Sequence, residues 1–73
     1  MNEHTRKQIG RLARILVASG LTKEQAIGVC TMMKTEDMVV EIAETLAEKD
    51  FKTTQQEALN ICGQVIKKHL NLK

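Results

Sequence analysis

The apolar residues of this chain recur at helical spacing in two stretches with the same skeleton, Thr5 to Met33 and Thr35 to Val65. At an offset of 30 residues Ile9 falls on Val39, Leu12 on Ile42, Ala13 on Ala43, Leu16 on Leu46 and Leu21 on Phe51. The second stretch then holds two extra linker residues. Beyond them an offset of 32 sets Thr22 on Thr54, Ala26 on Ala58, Ile27 on Leu59, Val29 on Ile61, Cys30 on Cys62 and Met33 on Val65. Apolar residues three and four apart form one stripe of a helix, and such a stripe must be covered by another element. Any two amphipathic helices share that period. It is the shared caps, small residues and cysteines that suggest an internal repeat.

Helix starts are marked by side chains able to accept the amide N–H groups that a first turn leaves orphaned. Thr5 with Gln8, Thr22 with Gln25, and Thr53 or Thr54 with Gln56 or Glu57 have capping-box spacing. Thr35 precedes Glu36 and Asp37, which are acidic where the helix dipole favours acid. Gly20 ends the first helix. Lys34-Thr35 contains neither glycine nor proline, so one rod through it is conceivable. The phase argues otherwise: the six steps from Met33 to Val39, at 100° each, carry the apolar stripe about 120° round the axis. A break is predicted there. A third helix follows to about Lys49, the linker 50–53 sets Phe51 where Leu21 stood, and a fourth helix runs to about Leu70. The expected fold is all-α, four short helices as two αα-hairpins at about 5–33 and 35–70, packed as a small orthogonal bundle in one domain, 1–73.

Seventy-three residues bury only about 60% of their unfolded surface, so self-association as a homodimer is expected to add stability. With Phe51 the single aromatic residue and four methionines present, the core must be aliphatic and methionine-rich. The first residues do not read as a signal peptide. The longest apolar run, Ile15 to Ala18, is far too short to span a bilayer. A cytoplasmic, reduced protein without a membrane partner is expected.

Charge is distributed unevenly. At the offset of 30, Arg6, Lys7, Arg11 and Arg14 fall on Glu36, Asp37, Glu41 and Glu44, so each base has become an acid. Residues 1–20 carry four bases and one acid, net +3, whereas residues 35–50 carry six acids and one base, net −5. Both faces would serve solubility. They are also complementary, and complementary surfaces set the orientation and rate of encounter with a second copy or another protein. Arg6 and Lys7, in a first turn, oppose the helix dipole, which a face selected only for solubility would avoid.

Catalysis finds no support. There is no nucleophile elbow, zinc-binding H-E-x-x-H or phosphate-cradling glycine loop, and the glycines are scattered. His4 and His69 lie near chain ends where neither is expected to be held for proton transfer. Cys30 and Cys62 occupy apolar stripes, where cysteine acts as a small hydrophobe. No catalytic residue, metal or cofactor is therefore assigned. The expected function is a small helical protein–protein interaction module. Its candidate contact residues are Leu59, Ile66 and Leu70, a second stripe on the fourth helix, with Met32 and Met38 at the corner between hairpins. The alternative is a helix-turn-helix-like regulatory protein that binds nucleic-acid phosphates through Lys7, Arg11 and Arg14. Against it, the would-be reading helix offers only Lys23, Gln25 and Lys34, and stacking aromatics are absent.

Overall fold

The computed structural model of the protein describes residues 2–71. It contains four helices, α1 (Glu3–Ala18), α2 (Lys23–Thr31), α3 (Glu36–Glu48) and α4 (Gln55–Leu70), and no strand among the described residues. Helix α1 packs on α2, α3 packs on α4, and α1 against α3 joins the two hairpins. The all-α arrangement of paired hairpins follows the apolar skeleton. Leu12, Leu16, Ile42, Leu46 and Ala58 are wholly excluded from solvent, and Ala26, Met38, Val39 and Cys62 nearly so.

The caps follow side-chain chemistry. Thr22 with Gln25, and Thr54 with Glu57, form complete capping boxes in which each side chain satisfies the other residue's amide. The Thr54 backbone amide first, and the Thr54 hydroxyl second, hold the Glu57 carboxyl below the usual carboxylate range. Thr35 caps α3, and α2 ends at Thr31, so the chain breaks where the stripe changes phase. The start of α1 departs from expectation. Its N-cap is Asn2, whose Oδ1 accepts from the Thr5 amide at 2.8 Å and the Thr5 hydroxyl at 2.9 Å. Asparagine is at least as good an N-cap as threonine, and Thr5, one turn later, is buried with its hydroxyl satisfied locally.

Both hairpins turn on the same backbone device. Leu21 N–H reaches back to the Leu16 carbonyl and Gly20 N–H to that of Val17, while Phe51 N–H reaches Leu46 and Asp50 N–H reaches Ala47. These are Schellman closures at equivalent positions. The side chains diverge, however. Leu21 is buried, whereas Phe51 is 38% exposed and does not take Leu21's place in the core. Asp50 and Phe51 both have left-handed backbone, φ 53° and 58°. That conformation costs a non-glycine residue about 1 kcal/mol or more. Asp50→Gly should therefore stabilise the fold by about 1 kcal/mol, read as a higher thermal midpoint, and an unchanged or lower midpoint would refute the strain.

The two hairpin turns meet. The Thr53 hydroxyl donates to the Ser19 carbonyl at 2.6 Å, and Gln55 Nε2 donates to Gln25 Oε1 at 2.8 Å. Gly20, at φ 113°, lets the chains approach: a Cβ there would sit 3.2 Å from the Gln55 nitrogen and 3.3 Å from the Thr53 carbonyl oxygen. The Ser19 hydroxyl is buried at this junction without a partner.

Candidate functional site

The outer face of α1 follows from its sequence. With Leu12 and Leu16 inward, helical geometry turns Arg6, Lys7, Gly10, Arg11, Arg14 and Val17 to solvent, and all six are exposed. On α2 the inward Ala26 and Val29 leave Ile27, about 100° round from Ala26, on the flank beside α1. Between the helices runs an apolar groove of about 400 Å³ lined by Ala13, Arg14, Val17, Lys23, Ala26 and Ile27. Its walls are Val17, 47% exposed, and Ile27, 51% exposed. Arg14 and Lys23 supply its charge. The repeat pairs Ile27 with Leu59, and Val17 belongs to the apolar run Ile15 to Ala18. The signal for a groove was there: two apolar residues beyond the stripe, on facing flanks of neighbouring helices.

Lys7, Arg11 and Arg14 surround a shallow depression over Gly10. Arg14 is common to depression and groove, so the basic surface runs into the apolar one. On the other flank of α1 a notch against α3 is lined by Gln8, Arg11, Leu12, Ile15, Val39, Val40, Ala43 and Glu44. Basic and acidic faces thus lie side by side without neutralising each other. Among the described residues, none of Arg6, Lys7, Arg11, Arg14 and Lys23 has a carboxylate within 4.0 Å, and neither Asp37, Glu44 nor Glu48 has a cationic partner.

The remaining acids of α3 are used internally. Glu36 lies 2.9 Å from His4 Nε2, tying the start of α3 to α1. Glu41 takes His69 at 3.0 Å and Lys68 at 3.2 Å, tying α3 to the end of α4. Both histidines are thus held by α3, contrary to expectation. Hydrogen bonds from His69, and then Lys68, hold the Glu41 carboxyl below the usual carboxylate range. A carboxyl depressed on folding adds stability above its unfolded pKa, and that contribution disappears as pH falls through the carboxylate range.

The contact residues expected from sequence are not brought together. Met38 and Ile66 are in the core, Met38 with its sulfur accepting from the Lys34 amide at 3.4 Å, so neither presents a surface to a partner. Leu59 is half-buried against that core. Met32 and Leu70 are exposed, but neither lines the groove. The second stripe of α4 failed as a surface because α4 buries Val65 and Ile66 together, a wider inward arc than a single stripe.

Chemistry at the thiols is unfavourable. Burial, aided by the nearby Cys30, pushes the Cys62 thiol up to about 11, and burial raises Cys30 as well. Neither forms a thiolate readily, and both are free rather than bridged. The Cys30 thiol donates to the Ile9 carbonyl at 3.6 Å, a contact within the first hairpin. No group of three or more metal-ligating side chains occurs among the described residues, and no helix is long and apolar enough to cross a membrane. No family model, curated protein or solved structure matches the chain.

Proposed function

We propose that the protein is a non-catalytic helical docking module that binds other polypeptides, its own copies included, through the groove between α1 and α2. The observation that carries this reading is the joining of two half-exposed aliphatic walls, Val17 and Ile27, to the cations Arg14 and Lys23 in one concave surface. Exposed aliphatic side chains gathered in a groove mark an interaction site far more often than isolated ones do. Working as a module of the reduced cytoplasm fits its two unbridged thiols.

The test is direct. Sedimentation equilibrium at low ionic strength should give a mass that rises with concentration above 8.2 kDa. The double variant Val17→Asp, Ile27→Asp should stay monomeric and keep its helical circular dichroism, because both side chains already face solvent. Association undiminished by that variant would remove the groove from consideration.

A second reading, phosphate binding by Lys7, Arg11 and Arg14, is favoured by their convergence round Gly10. Glu44 opposes it, since Arg11 and Glu44 line one notch and a polyanion laid along α1 would meet that carboxylate. Retention of a labelled duplex that weakens steeply with added salt would favour this reading over the first.

A further inference from the structure

We infer that the occupant of the α1/α2 groove is the outer face of α3 from a second copy, joining protomers head to tail. This rests on the docking-module reading and goes beyond it by naming the partner surface. Helix α3 buries Met38, Val39, Ile42 and Leu46, which leaves Asp37, Val40, Glu44, Ala47 and Glu48 on the opposite side, all exposed. That face is an amphipathic strip in its own right. Val40 and Ala47, two turns apart, are its apolar line, and Asp37, Glu44 and Glu48 flank them without a cationic partner among the described residues. Laid in the groove, the strip sets valine and alanine against Val17 and Ile27 and three carboxylates near Arg14, Lys23 and the adjoining Lys7 and Arg11.

Charge also decides against the simplest symmetric dimer. Pairing groove with groove across a two-fold axis would bring Arg14 and Lys23 against their own copies, like charge on like. The groove lies on the α2 flank of α1 and the acidic strip belongs to the helix on its other flank. In the head-to-tail contact one protomer's groove takes its neighbour's strip, which leaves an open groove at one end of each chain of protomers and an open acidic strip at the other.

Three sedimentation runs test this. Wild-type protein at low salt should pass beyond twice 8.2 kDa as concentration rises, and 0.5 M salt should weaken association at least tenfold. The groove variant Arg14→Glu, Lys23→Glu and the strip variant Glu44→Lys, Glu48→Lys should each be monomeric alone. Mixed one to one they should associate again, because the intact strip of the first meets the intact groove of the second and the reversed charges of the two complement each other as well. All four positions are exposed, so circular dichroism should report an unchanged fold. If the strip variant associates like wild type while Val17→Asp, Ile27→Asp does not, the groove docks something other than α3 and only this inference falls. A wild-type plateau at the dimer, or a mixture that remains monomeric, also overturns the head-to-tail contact. Wild type that is monomeric at 1 mM in low salt overturns the docking reading with it.

Discussion

Leu46→Ala should cost about 2–5 kcal/mol in urea unfolding followed by circular dichroism. The side chain is wholly excluded from solvent in α3, and its removal leaves a cavity in an aliphatic interior that has no spare large residue to close it. A chain of 73 residues has roughly 4–11 kcal/mol to lose at typical stabilities per residue, so the variant should be partly unfolded at 37 °C. Leu16→Ala should cost about the same, because Leu16 is equally buried at the equivalent position of the first hairpin. The next pair should separate. Leu21→Ala should cost about 2 kcal/mol or more and Phe51→Ala less, since Leu21 belongs to the buried core and Phe51 is 38% exposed. Equal losses at Leu21 and Phe51, or a loss below about 1 kcal/mol at Leu46, would contradict the packing described above.

Replacing Gly10, Gly28 and Gly63 together by alanine should have the opposite effect, a gain of about 2–3 kcal/mol and a thermal midpoint higher by roughly 10–20 °C. Each glycine lies inside a helix, α1, α2 and α4 respectively, and a Cβ at each would meet nothing within 4 Å. No packing demand of the monomer explains them. Glycine in a helix interior costs about 1 kcal/mol relative to alanine, chiefly through the freedom it has when unfolded, and well-separated sites add. Gly20 is the control. There the backbone is at φ 113° and a Cβ would press on the start of α4, so Gly20→Ala should destabilise. A triple variant no more stable than wild type would mean that the helical glycines meet constraints absent from the monomer.

Much of the architecture was legible because local chemistry and apolar phase agreed. Thr22, Thr35 and Thr54 cap the helices they were expected to cap, and the 120° phase change at Lys34-Thr35 located a break that no glycine or proline marks. Thr5 misled because two good caps lie three residues apart and only the earlier one, Asn2, leaves the Thr5 side chain free to be buried. Phe51 misled because register fixes the backbone and not the side chain's direction: the turns at Leu21 and Phe51 close with the same hydrogen bonds, yet left-handed backbone at both Asp50 and Phe51 sends the ring outward. The candidate site was less legible. A groove belongs to two helices jointly, and the periodicity of each one ranks Val17 and Ile27 only as residues at the edge of a stripe. The charge inversion was plain in the sequence. What required coordinates was that α1 and α3 are neighbours whose outward charges do not cancel, while Glu36 and Glu41 are spent on His4, Lys68 and His69.

The most direct test of a docking groove on this fold is amide chemical-shift mapping of the isotope-labelled wild-type protein, diluted stepwise from 1 mM to 20 µM at low salt. Shifts that move with concentration and cluster at Val17, Lys23 and Ile27 on one side and at Val40, Glu44 and Ala47 on the other are the predicted result. A spectrum invariant across that range, or changes centred on residues remote from both surfaces, would contradict it.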